Sequence, residues 1–348
     1  MARNPRKTVI NGNHQKIKLL KLYVYLTKHS DENHPLSTQQ ILEYLSGEGI
    51  PCDRRTLSKD IAVLNDYGFD VIAKLSRTKL YYVPEYNRSF DEAELRTLID
   101  SVQAARFINP EKTKDLVGRI AGLAGEHRSK VLRDNVVHFN TNKSRVKNIF
   151  GVIDLAIAAI REERKLSFRY CDLDEKREKV FRHGGARYLV NPLALVYRDD
   201  AYYLMCYNIE SASPYYYRLE RMEGVLKEEE GIDETCREWS SKHRVESVVG
   251  SCVRMYGNPE TSEVTLTYDR GDYLTLGAIL DRFGDLAHPA PDRSRSPMLK
   301  FIKVWVQISP TFWAWVMQFQ GKIGIYEKEY HQQLRDFAEK TLMSIEHN

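Results

Sequence analysis

Basic and short side chains share one face of a helix predicted at residues 53–66. At 3.6 residues per turn, Arg55, Ser58, Lys59 and Ala62 form one stripe, and the opposite stripe is apolar. Such a helix fits the major groove of DNA, where arginine and lysine reach base edges or phosphates. An ordinary amphipathic helix with a solvated charged face has the same pattern.

A second helix is predicted just upstream, at residues 36–46. Ser37 and Gln40 have the spacing of a capping box, and Leu36 and Ile41 that of a hydrophobic staple. A third helix, farther upstream, is predicted from the apolar stripe Ile17, Leu20 and Val24. The order of helix, capped helix, short connection and basic helix is that of a helix-turn-helix.

A hairpin predicted at residues 69–83 is a candidate wing. The first 83 residues hold thirteen lysines and arginines against eight aspartates and glutamates, a net charge of +5, whereas the whole chain carries +4. Attraction to DNA phosphates is the expected use of this bias. The predicted DNA-contacting residues are Arg54, Arg55, Thr56, Ser58, Lys59, Arg77 and Lys79.

Length and composition indicate a globular protein of two or three domains. The chain has 348 residues, of which 42% are hydrophobic and 11% aromatic, enough to form several cores. No apolar run approaches the roughly 18–20 residues that span a bilayer, and no apolar signal core follows the basic N-terminus. The five cysteines lack Cys-x-x-Cys spacing, which favours a reducing cytoplasm and argues against structural zinc.

The helical region that follows is predicted to be a spacer or a dimerisation surface, because a reader of one DNA half-site usually needs a two-fold-related partner. Its two apolar stripes are Leu95, Leu98, Val102 and Ala105, then Leu116, Ile120 and Leu123.

A predicted helix at 144–163 leads into a segment rich in tyrosine and valine. Its predicted strands are 166–171, 177–183, 187–198, 201–209 and 215–221, a spacing typical of a strongly bent antiparallel sheet or barrel. Tyrosines and arginines on adjacent strands suit stacking on bases and pairing with phosphates. A tyrosine-rich sheet with merely solvent-facing arginines is the alternative. From residue 261 onward, alternating strands and helices predict an α+β module, with a polar loop at 287–297.

Known catalytic motifs are absent from the sequence. It has no Gly-x-x-x-x-Gly-Lys-Ser/Thr, Gly-x-Gly-x-x-Gly, His-Glu-x-x-His or Gly-x-Ser-x-Gly. His183 is predicted to lie in a loop, and Asp172 and Asp174 are predicted to form turns. We therefore expect a protein that is not an enzyme and that uses no cofactor or metal. A hydrolase of nucleotides or nucleic acids is a second possibility.

Several motifs resemble those of the WYL-domain transcriptional regulators of bacteria. They are Arg54-Arg55-Thr56 through Leu64, Ala156 through Arg161, Phe168-Arg169-Tyr170, Pro192-Leu193, Tyr202-Tyr203-Leu204 and Arg218 through Arg221. Residues 261–345 are similar to the C-terminal extension of that family, so the resemblance covers nearly the whole chain.

The resemblance implies a multi-domain α+β fold. Its domains would be a winged helix-turn-helix at 1–83, a helical linker or dimerisation region at 84–143, an Sm-like β-barrel WYL domain at 144–230, a connector at 231–260 and a WCX-type extension at 261–348.

The family also implies a ligand pocket in the WYL domain. The matching residues are Tyr170, Tyr203, Arg218 and Arg221, with Arg182 and Arg187 as further candidates. Tyr202 replaces the tryptophan that names the family, and Tyr188 replaces an arginine, with Arg187 one position earlier. A shift of one residue turns a side chain to the other face of a strand. Arg218 and Arg221 share a face only if the strand ends or bulges between them.

We expect a cytoplasmic, homodimeric regulator that binds operator DNA and senses a single-stranded nucleic acid or nucleotide-like effector. The alternative is a non-catalytic adaptor that binds RNA or single-stranded DNA, for example in phage defence, and uses its N-terminal unit for docking.

Overall fold

The computed structural model describes residues 14–134, 143–144, 146–176, 178–253, 255, 261–291 and 297–346. It divides into two compact units, Met1–Arg145 and Val146–Asn348. The fold is mixed α/β, and each unit is described by itself.

The first unit opens with three helices and a small antiparallel sheet of strand order β1-β3-β2. Its elements are α1 (His14–His29), β1 (Leu36–Ser37), α2 (Thr38–Gly47), α3 (Arg54–Asp66), β2 (Ile72–Leu75) and β3 (Lys79–Tyr82). Ser37 and Gln40 form the predicted capping box at the start of α2. The buried core comprises Leu22, Leu26, Ile41, Leu45, Leu57, Ile61, Leu64, Val71, Tyr81 and Val83.

The apolar stripe predicted for α1 is wrong. Ile17, Leu20 and Val24 are 40%, 59% and 54% exposed, whereas Leu22 and Leu26 are fully buried. Apolar residues lie around most of the circumference of α1, so its periodicity does not single out one face. The buried face contains a lysine, Lys18, which is 3% exposed and which the predicted stripe passed over.

Three helices, α4 (Glu92–Ala104), α5 (Pro110–Gly122) and α6 (Glu126–Asp134), complete the described part of the first unit. Their small core comprises Leu95, Ile99, Ala121, Ala124 and Leu132. Leu98 and Leu123, which belong to the two predicted apolar stripes, are 39% and 52% exposed. Gly125, at a φ of +86°, separates α5 from α6.

The second unit begins with α7 and a curled six-stranded antiparallel sheet. Its elements are α7 (Ile149–Arg161), β4 (Arg164–Leu173), β5 (Lys179–Phe181), β6 (Tyr188–Arg198), β7 (Ala201–Asn208), β8 (Ser213–Arg218) and β9 (Met222–Gly231). The strand order is β5-β4-β6-β7-β8, and β9 pairs with β4. Leu166 of β4 pairs with Val190 of β6 and with Lys227 of β9, so β4 is an inner strand of this sheet. Strand β9 was not predicted.

The rest of the second unit contains a four-stranded antiparallel sheet of order β11-β12-β10-β13. Its elements are α8 (Glu234–Lys242), α9 (Val245–Ser251), β10 (Thr261–Asp269), α10 (Tyr273–Phe283), β11 (Ala287–Pro289), β12 (Leu299–Gln307), α11 (Pro310–Met317), β13 (Gly324–Ile325) and α12 (Glu329–Glu346). The predicted polar loop therefore begins with a short strand, and its residues 292–296 lie outside the described residues.

The described residues form neither a membrane-spanning helix nor a metal-binding cluster. None of their helices combines the length and apolarity that crossing a membrane requires, and they contain no group of three or more His, Cys, Asp or Glu side chains placed to hold a metal ion. All five cysteines are described, and all are free thiols.

Candidate nucleic-acid interface and effector site

Helix α3 starts at a strong cap. The carboxylate of Asp53 accepts hydrogen bonds from the backbone N–H of Thr56 at 2.8 Å and from its hydroxyl at 2.9 Å. The first of these bonds is the main reason that the pKa of Asp53 lies below its ordinary value. Thr56 is therefore engaged in capping, and its hydroxyl already has a partner within the chain.

The outward face of α3 is open and cationic. Arg54, Arg55, Ser58 and Lys59 are exposed, while the leucines and isoleucine of the opposite face are buried. None of the three cations forms an ion pair with a carboxylate of the described residues. The three side chains therefore face solvent, and the charge of Arg55 also helps to lower the pKa of the nearby Asp53.

The acidic residue of α3 that follows Lys59 is turned inward. Asp60 lies 2.7 Å from the ammonium of Lys18 on α1, and the two side chains are 15% and 4% exposed. This ion pair joins α1 to α3 beneath the helix surface. As a consequence, Asp60 does not neutralise the outward arginines and lysine.

The β2–β3 hairpin places two further candidates beside this unit. Arg77 lies exposed in the turn, where the N–H of Ser76 donates to the carbonyl of Thr78 at 3.2 Å. The exposed Lys79 holds its ammonium 5.3 Å from the ring centre of Tyr81. Of the two, Arg77 is the one whose side chain forms no hydrogen bond, ion pair or ring contact with another described residue.

Tyr170 is the centre of the candidate effector site on the curled sheet. It is 6% exposed, and its phenol oxygen accepts a hydrogen bond from the N–H of Arg218 at 3.1 Å. The guanidinium of Arg182 lies 5.3 Å from the ring centre. Burial raises the pKa of Tyr170, so the phenol stays protonated at neutral pH.

Aromatic rings surround Tyr170. Phe168 and Tyr188 stack in parallel with their centres 5.7 Å apart, and Tyr217 meets Tyr170 edge to face at 5.3 Å. Burial raises the pKa of Tyr217 strongly. This rigid aromatic cluster fixes the floor of the site.

Two carboxylates hold the three arginines of the site. Asp172 accepts from Arg182 at 2.6 and 3.1 Å and from Arg221 at 2.8 Å. Glu220 accepts from Arg218 at 2.6 Å. The hydrogen bond from Arg182 is the main reason that the pKa of Asp172 is lowered, so this carboxylate is ionised at neutral pH.

Tyr203 completes the site on the neighbouring strand. The guanidinium carbon of Arg218 lies 6.0 Å from its ring centre, and the two residues are register partners on β7 and β8. Strand β8 ends at Arg218, and a single 3₁₀ turn over Leu219–Arg221 follows. The strand thus ends between Arg218 and Arg221, which is the condition that lets both reach one site.

Arg187 lies apart from the other candidates. Its guanidinium donates to the hydroxyl of Ser167 at 2.7 and 3.1 Å and to the carbonyls of Ser167 and Gly224 at 2.9 and 2.8 Å. The next residue, Tyr188, stacks on Phe168 in the aromatic cluster. The structure thus brings together Tyr170, Arg182, Tyr203, Arg218 and Arg221, and places Arg187 in a bridge between β4 and β9.

Sequence reasoning did not assign the carboxylates of Asp172 and Glu220 to the site. Asp172 was predicted to form a turn, but it lies in β4 and binds two arginines. Asp174 does form the turn, because its carboxylate accepts the N–H groups of Lys176 and Glu178. No local pattern distinguishes these two aspartates, whose partners are set by the sheet.

Comparison with known proteins gives one family match. Residues 151–226 match the family model described as "WYL domain", which agrees with the resemblance and is consistent with a DNA-binding regulator. The solved structure of proteasome accessory factor B/C (PafBC) of Arthrobacter aurescens is similar at 18% identity and a TM-score of 0.27. That match covers 99% of this chain and 52% of the solved one, so this chain spans about half its length. A search of curated proteins finds no match.

Proposed function

We propose that this protein is a sequence-specific DNA-binding transcriptional regulator without enzymatic activity. The observation that carries the proposal is the outward face of α3, where Arg54, Arg55 and Lys59 are exposed and form no ion pair with the described carboxylates. In this proposal α1–α3 and the β2–β3 hairpin act as a winged helix-turn-helix. Helix α3 enters the major groove, and Arg77 contacts the DNA backbone from the hairpin.

We propose further that the protein acts as a homodimer. A helix-turn-helix unit reads one half-site, and a two-fold axis doubles the contacts on a palindromic operator. The region α4–α6 is a suitable surface for the partner, because Leu98, Leu123 and Val131 expose 39%, 52% and 49% of their area there.

The effector assigned to the curled sheet is anionic and contains a base. Arg182, Arg218 and Arg221 converge around buried aromatic rings, and guanidinium groups bind phosphate oxygens in a bidentate manner. Single-stranded nucleic acid or a nucleotide supplies both the phosphate and the base. WYL-domain regulators generally bind nucleic-acid effectors, in agreement with this choice.

Selection of genomic fragments on the purified full-length protein tests the proposal. A regulator enriches one sequence motif, and a homodimer enriches a palindrome with half-site centres about 10 base pairs, or a multiple of that, apart. An adaptor that docks through its N-terminal unit enriches no motif, and an enzyme turns over a bound nucleotide; either result would contradict the proposal.

A further inference from the structure

The carboxylate of Asp172 lies where an anionic ligand of the curled sheet would bind. It accepts two hydrogen bonds from Arg182 and one from Arg221, at 2.6, 3.1 and 2.8 Å. A phosphate that bridges two guanidinium groups would make the same contacts, with an oxygen on each arginine. The two anions cannot occupy these donors together.

The charges of the site also indicate that Asp172 and an anionic ligand compete for the arginines. Arg182, Arg218 and Arg221 contribute three positive charges, and Asp172 and Glu220 remove two of them. A ligand with several phosphates therefore gains the full attraction of the arginines only when an internal carboxylate moves away. Of the two, Asp172 is the freer, because its side chain is 40% exposed and that of Glu220 is 16% exposed.

The pair of Asp172 and Arg182 also covers the central aromatic ring. Arg182 lies over Tyr170 at 5.3 Å while it is bonded to Asp172, and Tyr170 is 6% exposed. A base can stack on this ring only after Arg182 has shifted. Displacing Asp172 would therefore release two guanidinium groups for phosphate and one ring for a base.

We infer that Asp172 is an internal competitor for the effector, which occupies Arg182 and Arg221 until a phosphodiester displaces it. This inference rests on the proposed effector class. Asp172 would then set the affinity threshold of the site and select against ligands with one negative charge, such as a simple carboxylate. Exposed ion pairs are weak enough for such exchange, since they shift an equilibrium by no more than about fivefold.

The inference is tested with Asp172→Asn, which removes the charge and keeps the shape. The probe is a fluorescently labelled single-stranded DNA nonamer, titrated against the full-length chain by anisotropy. All proteins carry Arg55→Ala and Lys59→Ala, so that α3 does not contribute. Arg218→Ala defines the part of the signal that belongs to the site, and near-ultraviolet circular dichroism checks the fold.

The matched control is Glu223→Gln. Glu223 lies on β9 and pairs with Lys179 rather than with an arginine of the site, so its loss changes the net charge of the unit equally. We expect Asp172→Asn to bind the nonamer about three- to fivefold more tightly, Glu223→Gln to bind as the parent does, and Arg218→Ala to bind at least tenfold more weakly.

Two results would overturn the inference alone. Unchanged or weaker binding by Asp172→Asn would mean that Asp172 positions the arginines for the ligand, and equal tightening by both variants would mean a general effect of charge. If Arg218→Ala binds the nonamer as tightly as the Arg55→Ala/Lys59→Ala parent does, the site does not bind single-stranded DNA. The proposed effector class then fails, and the inference fails with it.

Discussion

Lys18 and Asp60 form an ion pair of 2.7 Å between α1 and α3, with only 4% and 15% of their side chains exposed. Removing one partner of a buried pair leaves an uncompensated charge. We expect Lys18→Met to destabilise the packing of α3 by about 3 kcal/mol, measured as faster hydrogen exchange of the α3 amides. Adding Asp60→Asn should restore part of this loss.

The control for this prediction is Lys21→Met, on the same helix. Lys21 pairs with Glu48, but both side chains are more than a third exposed, and exposed pairs contribute about 0–1 kcal/mol. Equal effects of Lys18→Met and Lys21→Met would contradict the structural role given to Asp60.

The capping box of α2 gives a second prediction. Ser37→Ala removes the acceptor of the Gln40 N–H and the partner of the Gln40 side chain. A lost cap of this kind costs about 1 kcal/mol, which can be measured as a lower free energy of unfolding of the first unit in urea. Ser46→Ala, on an exposed position of the same helix, should change the unfolding midpoint little; if it lowers stability as much as Ser37→Ala, the cap is not the cause.

Cysteine reactivity gives a third prediction. Cys52 is the only cysteine of the chain that is not buried, and burial raises the pKa of Cys236 to about 11. Iodoacetamide at pH 8 should therefore label Cys52 first and the other four only after denaturation, as peptide mass spectrometry will record. Labelling of Cys236 at the rate of Cys52 in the native protein would contradict the fold of this region.

The same pKa has a consequence for stability. The folded state holds the Cys236 proton more tightly than the unfolded state, in which the pKa is near 9.0. The stability that the bound proton of Cys236 contributes is therefore fully present below about pH 9 and is lost as the pH rises toward 11. Between pH 9 and pH 11, the free energy of unfolding should fall less for Cys236→Val than for the parent protein. Identical pH profiles of the two proteins would contradict the raised pKa of Cys236.

Arg187 and Arg218 should respond differently to substitution. Arg187→Met removes the hydrogen bonds to Ser167 and Gly224, and we expect a loss of about 2 kcal/mol in stability with effector binding kept. Arg218→Ala should weaken binding of single-stranded DNA at least tenfold, and it should also lower stability, because it leaves the carboxylate of Glu220 without its partner. Loss of binding in Arg187→Met together with unchanged binding in Arg218→Ala, measured by anisotropy, would place Arg187 in the effector site.

Local signals in the sequence predicted most of the described helices, but not α8 and α9, which lie in the predicted connector. The spacing of Ser37 and Gln40 depends on one helical turn, so the capping box could be found without knowledge of the fold. The buried face of α1 could not, because Lys18 is acceptable there only through Asp60, on another helix. Strand β9 was missed because its run of glutamates has the pattern of a solvated segment.

The arrangement of the candidate effector site was predictable only in part. Tyr170, Arg218 and Arg221 were proposed as site residues through the family motifs, and the end of β8 at Arg218 meets the stated condition for a shared face. Asp172 was misjudged because its partners are 10 and 49 residues away in the chain. Only the pairing of strands brings those groups together, so no short-range pattern could assign them.

The central claim is that the outward face of α3 reads DNA, and quantitative footprinting of the selected operator tests it most directly. The variant is Arg55→Ala/Lys59→Ala. Its control is Arg335→Ala/Lys340→Ala, which removes two exposed cations of α12 that also lack an ion pair with the described carboxylates. We predict that the first variant loses about a hundredfold in affinity and about two units of salt slope, while the control binds as the parent does. Unchanged protection by the first variant would contradict the account.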